Sequence, residues 1–160
     1  MKNIVRSRII ASLFLLVSIV CLCSCASKKE PLSSMDYINA LVDAGFPIEN
    51  IIEKPADPEF FKYTQRYVFA DSRVIQYNSE YPVGGEIQIY ETKEIMHESL
   101  HLLEEIYATT PSIAMRIISA PDELAILLIE FDLNGAQADE YKIAFEEFCK
   151  DRKITKKFGE

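Results

Sequence analysis

Apolar residues are spaced in three different ways along the chain. Residues 9–22 form a nearly continuous apolar run, broken only by Ser12 and Ser18 and preceded by Lys2, Arg6 and Arg8. Three later stretches carry the spacing of a helix with one buried face. In the first, Met35, Ile38, Leu41 and Val42 follow the capping-box pair Ser33 and Asp36 and stop before Gly45 and Pro47. The second is capped by Thr92 and spans 93–108. The third spans 136–150, opened by the pair Asn134 and Gln137, with Tyr141, Ala144, Phe145, Phe148 and Cys149 on its apolar stripe.

Between these helices the pattern is that of strands. Residues 48–53 hold the β-branched pair Ile51 and Ile52, and 66–77 are aromatic and β-branched with an interruption at Asp71 and Ser72, which predicts a strand bent there by a bulge or a tight turn. Gly84 and Gly85 open an alternating strand over 86–90, and another strand is expected over 113–119. Residues 124–131 are the most hydrophobic of all and read as the central strand. The order predicts an α+β domain, a mainly antiparallel sheet of about four to five strands with three helices packed on one face. The final strand, helix, strand, strand, helix run has the order of a split βαβ unit, which makes a ferredoxin-like arrangement the expected topology.

The N-terminal run changes the organisation of the chain. A cationic start, an apolar stretch of signal-peptide length and then Leu22, Cys23, Ser24 and Cys25 resemble the leader and lipobox of a bacterial lipoprotein. Leu22 stands at −3, the small Ser24 at −1, and Cys25 is the residue expected to take the lipid. Cys23 and Cys21 fit less well, because bulky Leu22 or β-branched Val20 would then precede the scissile bond. An uncleaved membrane helix is the alternative. The expected organisation is a signal peptide over 1–24, a lipid-anchored tether over 25–32, one α+β domain over 33–150 and a basic tail over 151–160. The expected location is the extracytoplasmic face of the cell membrane, and the membrane is the first expected partner. Two acyl chains suffice for stable anchoring.

Charge and cysteine content follow from that organisation. The full 160 residues carry 17 basic and 25 acidic groups, a formal charge of −8. Without 1–24 the balance is 14 basic against 25 acidic, a charge of −11. So acidic a domain weakens a nucleic-acid reading, because phosphate binding needs a positive face, and nucleic acid is not an expected partner. Cys149 is the single thiol left beyond the anchor, and its place on a helix stripe predicts packing rather than reactivity. Lys150, Arg152, Lys153, Lys156 and Lys157 form the basic tail; meeting the negative end of a helix dipole is the first expectation and contact with anionic lipid the second.

One motif carries chemistry. His97, Glu98, Ser99, Leu100 and His101 spell H-E-x-x-H and include the chain's only two histidines. On a helix the two imidazoles share a face, so they would hold a zinc ion while Glu98 activates its water. A zinc-dependent metallopeptidase is therefore the alternative function, with His97 and His101 as metal ligands and Glu98 as catalytic base. At about 100° per residue, however, both histidines fall opposite the apolar arc of Ile95, Met96, Leu102, Leu103 and Ile106, beside Glu94, Glu104 and Glu105. No third histidine exists. Asp122, Glu123 and Glu130 lie in a turn and a hydrophobic strand, not on a second helix. The first expectation is thus a solvated helix face, no catalytic residues and no cofactor. Tyr63, Tyr67, Phe69 and Tyr77 raise a third possibility, a small ligand on an open sheet face, against which ordinary packing is the simpler reading.

Four strings carry a family resemblance. Residues 44–51 read AGFPIENI; Tyr63, Thr64, Gln65 and Arg66 lead to Phe69, Ala70 and Asp71; Gly84, Gly85, Glu86 and Ile87 precede Tyr90, Lys93 and Glu94; and 138–145 read ADEYKIAF. In this order, and over about 35–150, they resemble a family of small lipoproteins of Gram-positive bacteria whose biochemical function is unknown. The resemblance implies a lipid-anchored domain without established catalytic residues, in which the long helix need not carry H-E-x-x-H. Asp57, Pro58 and Glu59 stand where such members have Asp-Pro-Asn. The protein or small-molecule partner of such a domain is left open.

Overall fold

A computed structural model describes residues 30–110 and 115–158. The expected signal peptide, Cys25 and the start of the expected fourth strand lie outside the described residues. From Leu32 onward the chain forms one compact unit. Helix α1 (Ser34–Asp43) is followed by strands β1 (Ile48–Lys54), β2 (Gln65–Asp71) and β3 (Gly84–Ile89), then by α2 (Lys93–Thr109), β4 (Arg116–Ala120), β5 (Ala125–Ile129) and α3 (Gly135–Asp151). Among the described residues no helix is long and apolar enough to cross a membrane.

The helix starts are readable because side chains satisfy their orphan N–H groups. Ser33 and Asp36 form the reciprocal capping box of α1, and Asn134 and Gln137 that of α3. Thr92 accepts from the Ile95 N–H at the start of α2, at 3.3 Å. Helix α1 ends at Gly45, whose φ is +100° and where an added Cβ would stand 2.6 Å from the Phe158 carbonyl oxygen. Only glycine meets both demands.

The five strands run in the order β1-β2-β3-β5-β4 with every neighbouring pair antiparallel. The fold is α+β, as expected. The last run is a split βαβ unit: β3 and β4 both pair antiparallel with β5, so they are mutually parallel, α2 joins them, and β5 is inserted between. A ferredoxin-like order would add a strand after α3. Here the other half is the meander β1-β2-β3 with α1 before it.

The helices do not share one face. Along β5, Ala125, Leu127 and Ile129 belong to the main core with Tyr37, Ile38 and Leu41 of α1 and Tyr141, Ala144 and Phe145 of α3. Ile126 and Leu128 point the other way, into a second core with Met96 and Leu103 of α2, Tyr63 and Tyr90. Successive residues of a strand face opposite sides, so a strand apolar at every position needs cover on both. The expected single layer of helices is corrected to three layers, α1 and α3 on one face and α2 on the other.

Of the bulge or tight turn expected at Asp71 and Ser72 the structure has the turn, and only the strand beyond it is corrected, since β2 stops at Asp71. Its buried carboxylate accepts the Arg73 N–H (2.8 Å) and the Arg73 guanidinium (2.7 Å from Nη2 to Oδ2), a turn closed by its own side chain. The Tyr141 hydroxyl of α3 donates to the same carboxylate at 2.9 Å, and Arg73 Nη1 reaches Glu140 at 2.9 Å. Burial first, then the Asp71 charge, pushes the Tyr141 phenol well above its ordinary range, so the hydroxyl stays a donor.

The segment after α3 belongs to the domain. Arg152 takes a left-handed conformation as the C-cap of α3, and the chain returns along α1 until the Phe158 N–H reaches the Ala44 carbonyl at 2.9 Å and its ring stacks on Phe46 at 5.0 Å. Lys157 donates to the Asp43 carbonyl at the C-terminal end of α1. The tail does meet a helix dipole there, that of α1.

Tyr141→Phe removes one neutral donor from Asp71 and is expected to cost about 1–2 kcal/mol in urea unfolding. Asp71→Asn leaves the Arg73 turn without its buried counter-charge and is expected to cost about 3 kcal/mol. An Asp71→Asn loss no larger than that of Tyr141→Phe would refute the ordering.

Candidate functional site

Helix α2 carries the H-E-x-x-H motif on its outer side. Met96, Ser99 and Leu103 are buried, with Ile95, Leu100 and Tyr107 packed beside them. His97 and His101 are exposed, and the His101 side chain keeps 73% of its surface. The structure gives Glu98 a partner: its Oε2 lies 2.9 Å from Nζ of Lys62 in the loop before β2. His101 Nδ1 stands 3.6 Å from Glu105 Oε1, one turn on. Among the described residues no three His, Cys, Asp or Glu side chains converge as a metal-binding group. The motif therefore lies on a solvated face, with its glutamate in an ion pair. Cys149 is half-buried against the main core, as the stripe of α3 predicts.

The polar groups that do converge lie on the inner side of α2. Residues 86, 88 and 90 share one face of a strand, the face that α2 covers. Glu86 and Gln88 keep only 4% and 2% of their surface. Arg66, paired with Gln88 across β2 and β3, donates from Nε to Glu86 at 2.9 Å, and Nη2 reaches the same oxygen. Gln88 Nε2 donates to the other Glu86 oxygen at 2.5 Å, and the Tyr90 hydroxyl donates to Gln88 Oε1 at 2.5 Å. The carboxylate only accepts, so Gln88 must turn its NH2 toward Glu86 and leave its oxygen for Tyr90. The chain Arg66, Glu86, Gln88, Tyr90 satisfies a buried charge inside an apolar layer. Arg66 also lies over the Tyr63 ring at 5.7 Å.

Glu130, just after β5, is the second carboxyl of this neighbourhood. Burial, then the charges of Glu86 and Asp132, pushes it up to about 7. Burial, then Glu86 and Glu130, pushes the Tyr107 phenol of α2 up to about 12. Nothing local in the sequence marks Arg66, Glu86 and Gln88, because alternation assigns residues 86 and 88 to a solvent face. The full apolar run of β5 is the signal that this face is covered.

The aromatics raised for a small ligand on a sheet face are mostly taken up in packing. Of the four aromatics raised for it, Phe69 is in the main core and Tyr67 packs against it, while Tyr63 is in the second core. Tyr77 alone is exposed, at 79%. It borders a shallow cleft of about 230 Å³ with Arg73, Val74, Ile75 and Asp132. A second cleft, of about 320 Å³, lies where Ser119, Pro121, Glu123 and Cys149 meet. Compared with protein-family models, with curated proteins and with solved structures, the chain matches none.

Glu130 makes stability depend on pH. Its carboxyl is protonated in both states below about pH 4; the unfolded chain then ionises near 4.3 and the folded one near 7. Stability contributed by the neutral carboxyl is lost as pH rises through that window. Glu130→Gln should match the parent at pH 4 and exceed it above pH 8, by about 2 kcal/mol because water still reaches part of the group. Equal melting curves of the two proteins at both pH values would refute this.

Proposed function

We propose that the protein is a lipid-anchored extracytoplasmic domain of the cell membrane, a non-enzymatic binding or envelope-accessory module. The observation that carries the reading is the string Leu22, Cys23, Ser24 and Cys25 after a cationic and then apolar leader. A signal peptidase needs small residues beside the scissile bond, and the thiol of Cys25 is the nucleophile that takes the diacylglyceryl group before it becomes the new N-terminus. Support also comes from the short distance in sequence between Cys25 and the compact unit, which begins at Leu32. The family resemblance to small Gram-positive lipoproteins points the same way. The partner is a protein or small ligand whose identity is open.

The competing reading, a zinc-dependent peptidase, rests on His97, Glu98 and His101. It asks for a carboxylate free to activate water and for a third protein ligand. The ion pair between Glu98 and Lys62 and the solvated setting of both histidines favour the binding reading over it.

Labelling of growing cells with radioactive palmitate tests the proposal. The parent chain is expected to incorporate label and Cys25→Ala to lose it. Label retained by Cys25→Ala would overturn the anchor. Metal analysis of untagged protein separates the two readings: less than about one zinc per ten chains is expected, and one zinc per chain, lost in His97→Ala, would establish the peptidase-type site instead.

A further inference from the structure

We infer that the flank formed by the start of α1, the end of α3 and the returning tail is the face the domain lays on its membrane, and that its occupant is an anionic lipid surface. This inference rests on the proposed anchor at Cys25. Three observations lead to it.

The first is reach. Six residues, 26–31, separate the lipidated cysteine from Leu32, where the compact unit begins. Fully extended they span ~20 Å, so the point where the chain enters the domain stays within that distance of the bilayer.

The second is what surrounds that point. The ring of Tyr37, in the first turn of α1, meets Phe148 of α3 at 5.5 Å. The Asp36 carboxyl is held below the ordinary range by the Ser33 side-chain and backbone bonds and also by the charge of Arg152. The tail therefore starts beside the entry point. It then follows α1 to its far end, where Lys157 and Phe158 bond the Asp43 and Ala44 carbonyls. Thr155 is pinned to Glu147 along the way. The basic tail is a fixed strip on the same flank as the start of α1, where the compact unit begins.

The third is charge. Residues 150–157 carry Lys150, Arg152, Lys153, Lys156 and Lys157 against Asp151, a net +4, while the rest of the processed chain from Cys25 carries −15. Arg152 pairs with Glu123, Lys157 bonds α1 and Lys156 lies over the Phe158 ring at 4.9 Å, and Lys150, Lys153 and Lys156 are all exposed to solvent on the strip whatever else they touch. Near an anionic leaflet the strip is attracted, against local repulsion from Asp36, Asp43 and Glu147 beside it, and the more acidic remainder is repelled, so a domain free to turn on its tether settles strip-down. The same orientation turns α2, with His97 and His101, toward the outside, because α2 covers the opposite face of the sheet.

The absence of tryptophan from the chain provides a clean test. Asp151→Trp places a single fluorophore on the exposed strip, and His101→Trp places one on α2. Each processed lipoprotein is reconstituted in vesicles of phosphatidylcholine alone or with one-third phosphatidylglycerol, both containing a headgroup nitroxide lipid, after mass spectrometry of its N-terminus. The strip fluorophore is expected to be quenched about twofold more in the anionic vesicles, and this excess to vanish in 0.5 M salt or with Lys150→Gln, Lys153→Gln and Lys156→Gln combined. The α2 fluorophore is expected to show little quenching in either. Equal quenching of the two fluorophores, or of the strip fluorophore in the two vesicle types, overturns the inference while leaving the anchor intact. A chain without the diacylglyceryl mass overturns the anchor and the inference together.

Discussion

Strand β5 has no polar side. All five of its residues are buried, at 0–1% exposure, and in a strand that demand falls alternately on both faces. The three-layer build follows from it. Helices α1 and α3 must cover Ala125, Leu127 and Ile129, while α2 must cover Ile126 and Leu128. The split βαβ connection meets this requirement economically, since the chain leaving β3 crosses as α2 to β4 before β5 fills the gap between them. Buried side chains of this size each contribute about 1.5–3 kcal/mol, more than any surface ion pair in the domain.

Covering the second face has a chemical consequence. Alternating β3 brings Glu86 and Gln88 under α2 along with Tyr90, and a buried carboxylate there must be paired and fully hydrogen-bonded. Arg66 supplies the charge, and Gln88 relays between Glu86 and Tyr90. For Glu130, burial and the nearby Glu86 and Asp132 charges instead push ionisation up to about 7. On the first face the corresponding polar node is Asp71, which ends β2 by binding Arg73 and joins it to α3 through Tyr141. Both nodes tie elements together, that of the first face joining β2 to α3 and that of the second joining β2 to β3 beneath α2.

Much of this was legible in the residues. The capping pairs Ser33 and Asp36, and Asn134 and Gln137, marked helix starts because they act locally, within four residues. The outward direction of His97 and His101 followed from helix periodicity alone. What was not legible depended on contacts distant in sequence. Nothing near Glu86 announces that α2 will lie over it, and nothing near Phe158 announces Gly45 as its seat. The ion pair that occupies Glu98 comes from Lys62, 36 positions away. The string ending at Cys25, on which the proposed function rests, is legible as sequence because processing of the kind proposed would act on an unfolded segment.

The function proposed is thus divided between two parts of the chain. The folded unit supplies a closed, acidic body with one basic strip, and the segment before it supplies the attachment. Mass spectrometry of the N-terminal peptide from a membrane fraction tests that division most directly. A peptide beginning at Cys25 and carrying a diacylglyceryl group is the predicted result. A peptide that runs unmodified through Cys25 from the leader, or one that begins at Cys25 without lipid, would contradict it.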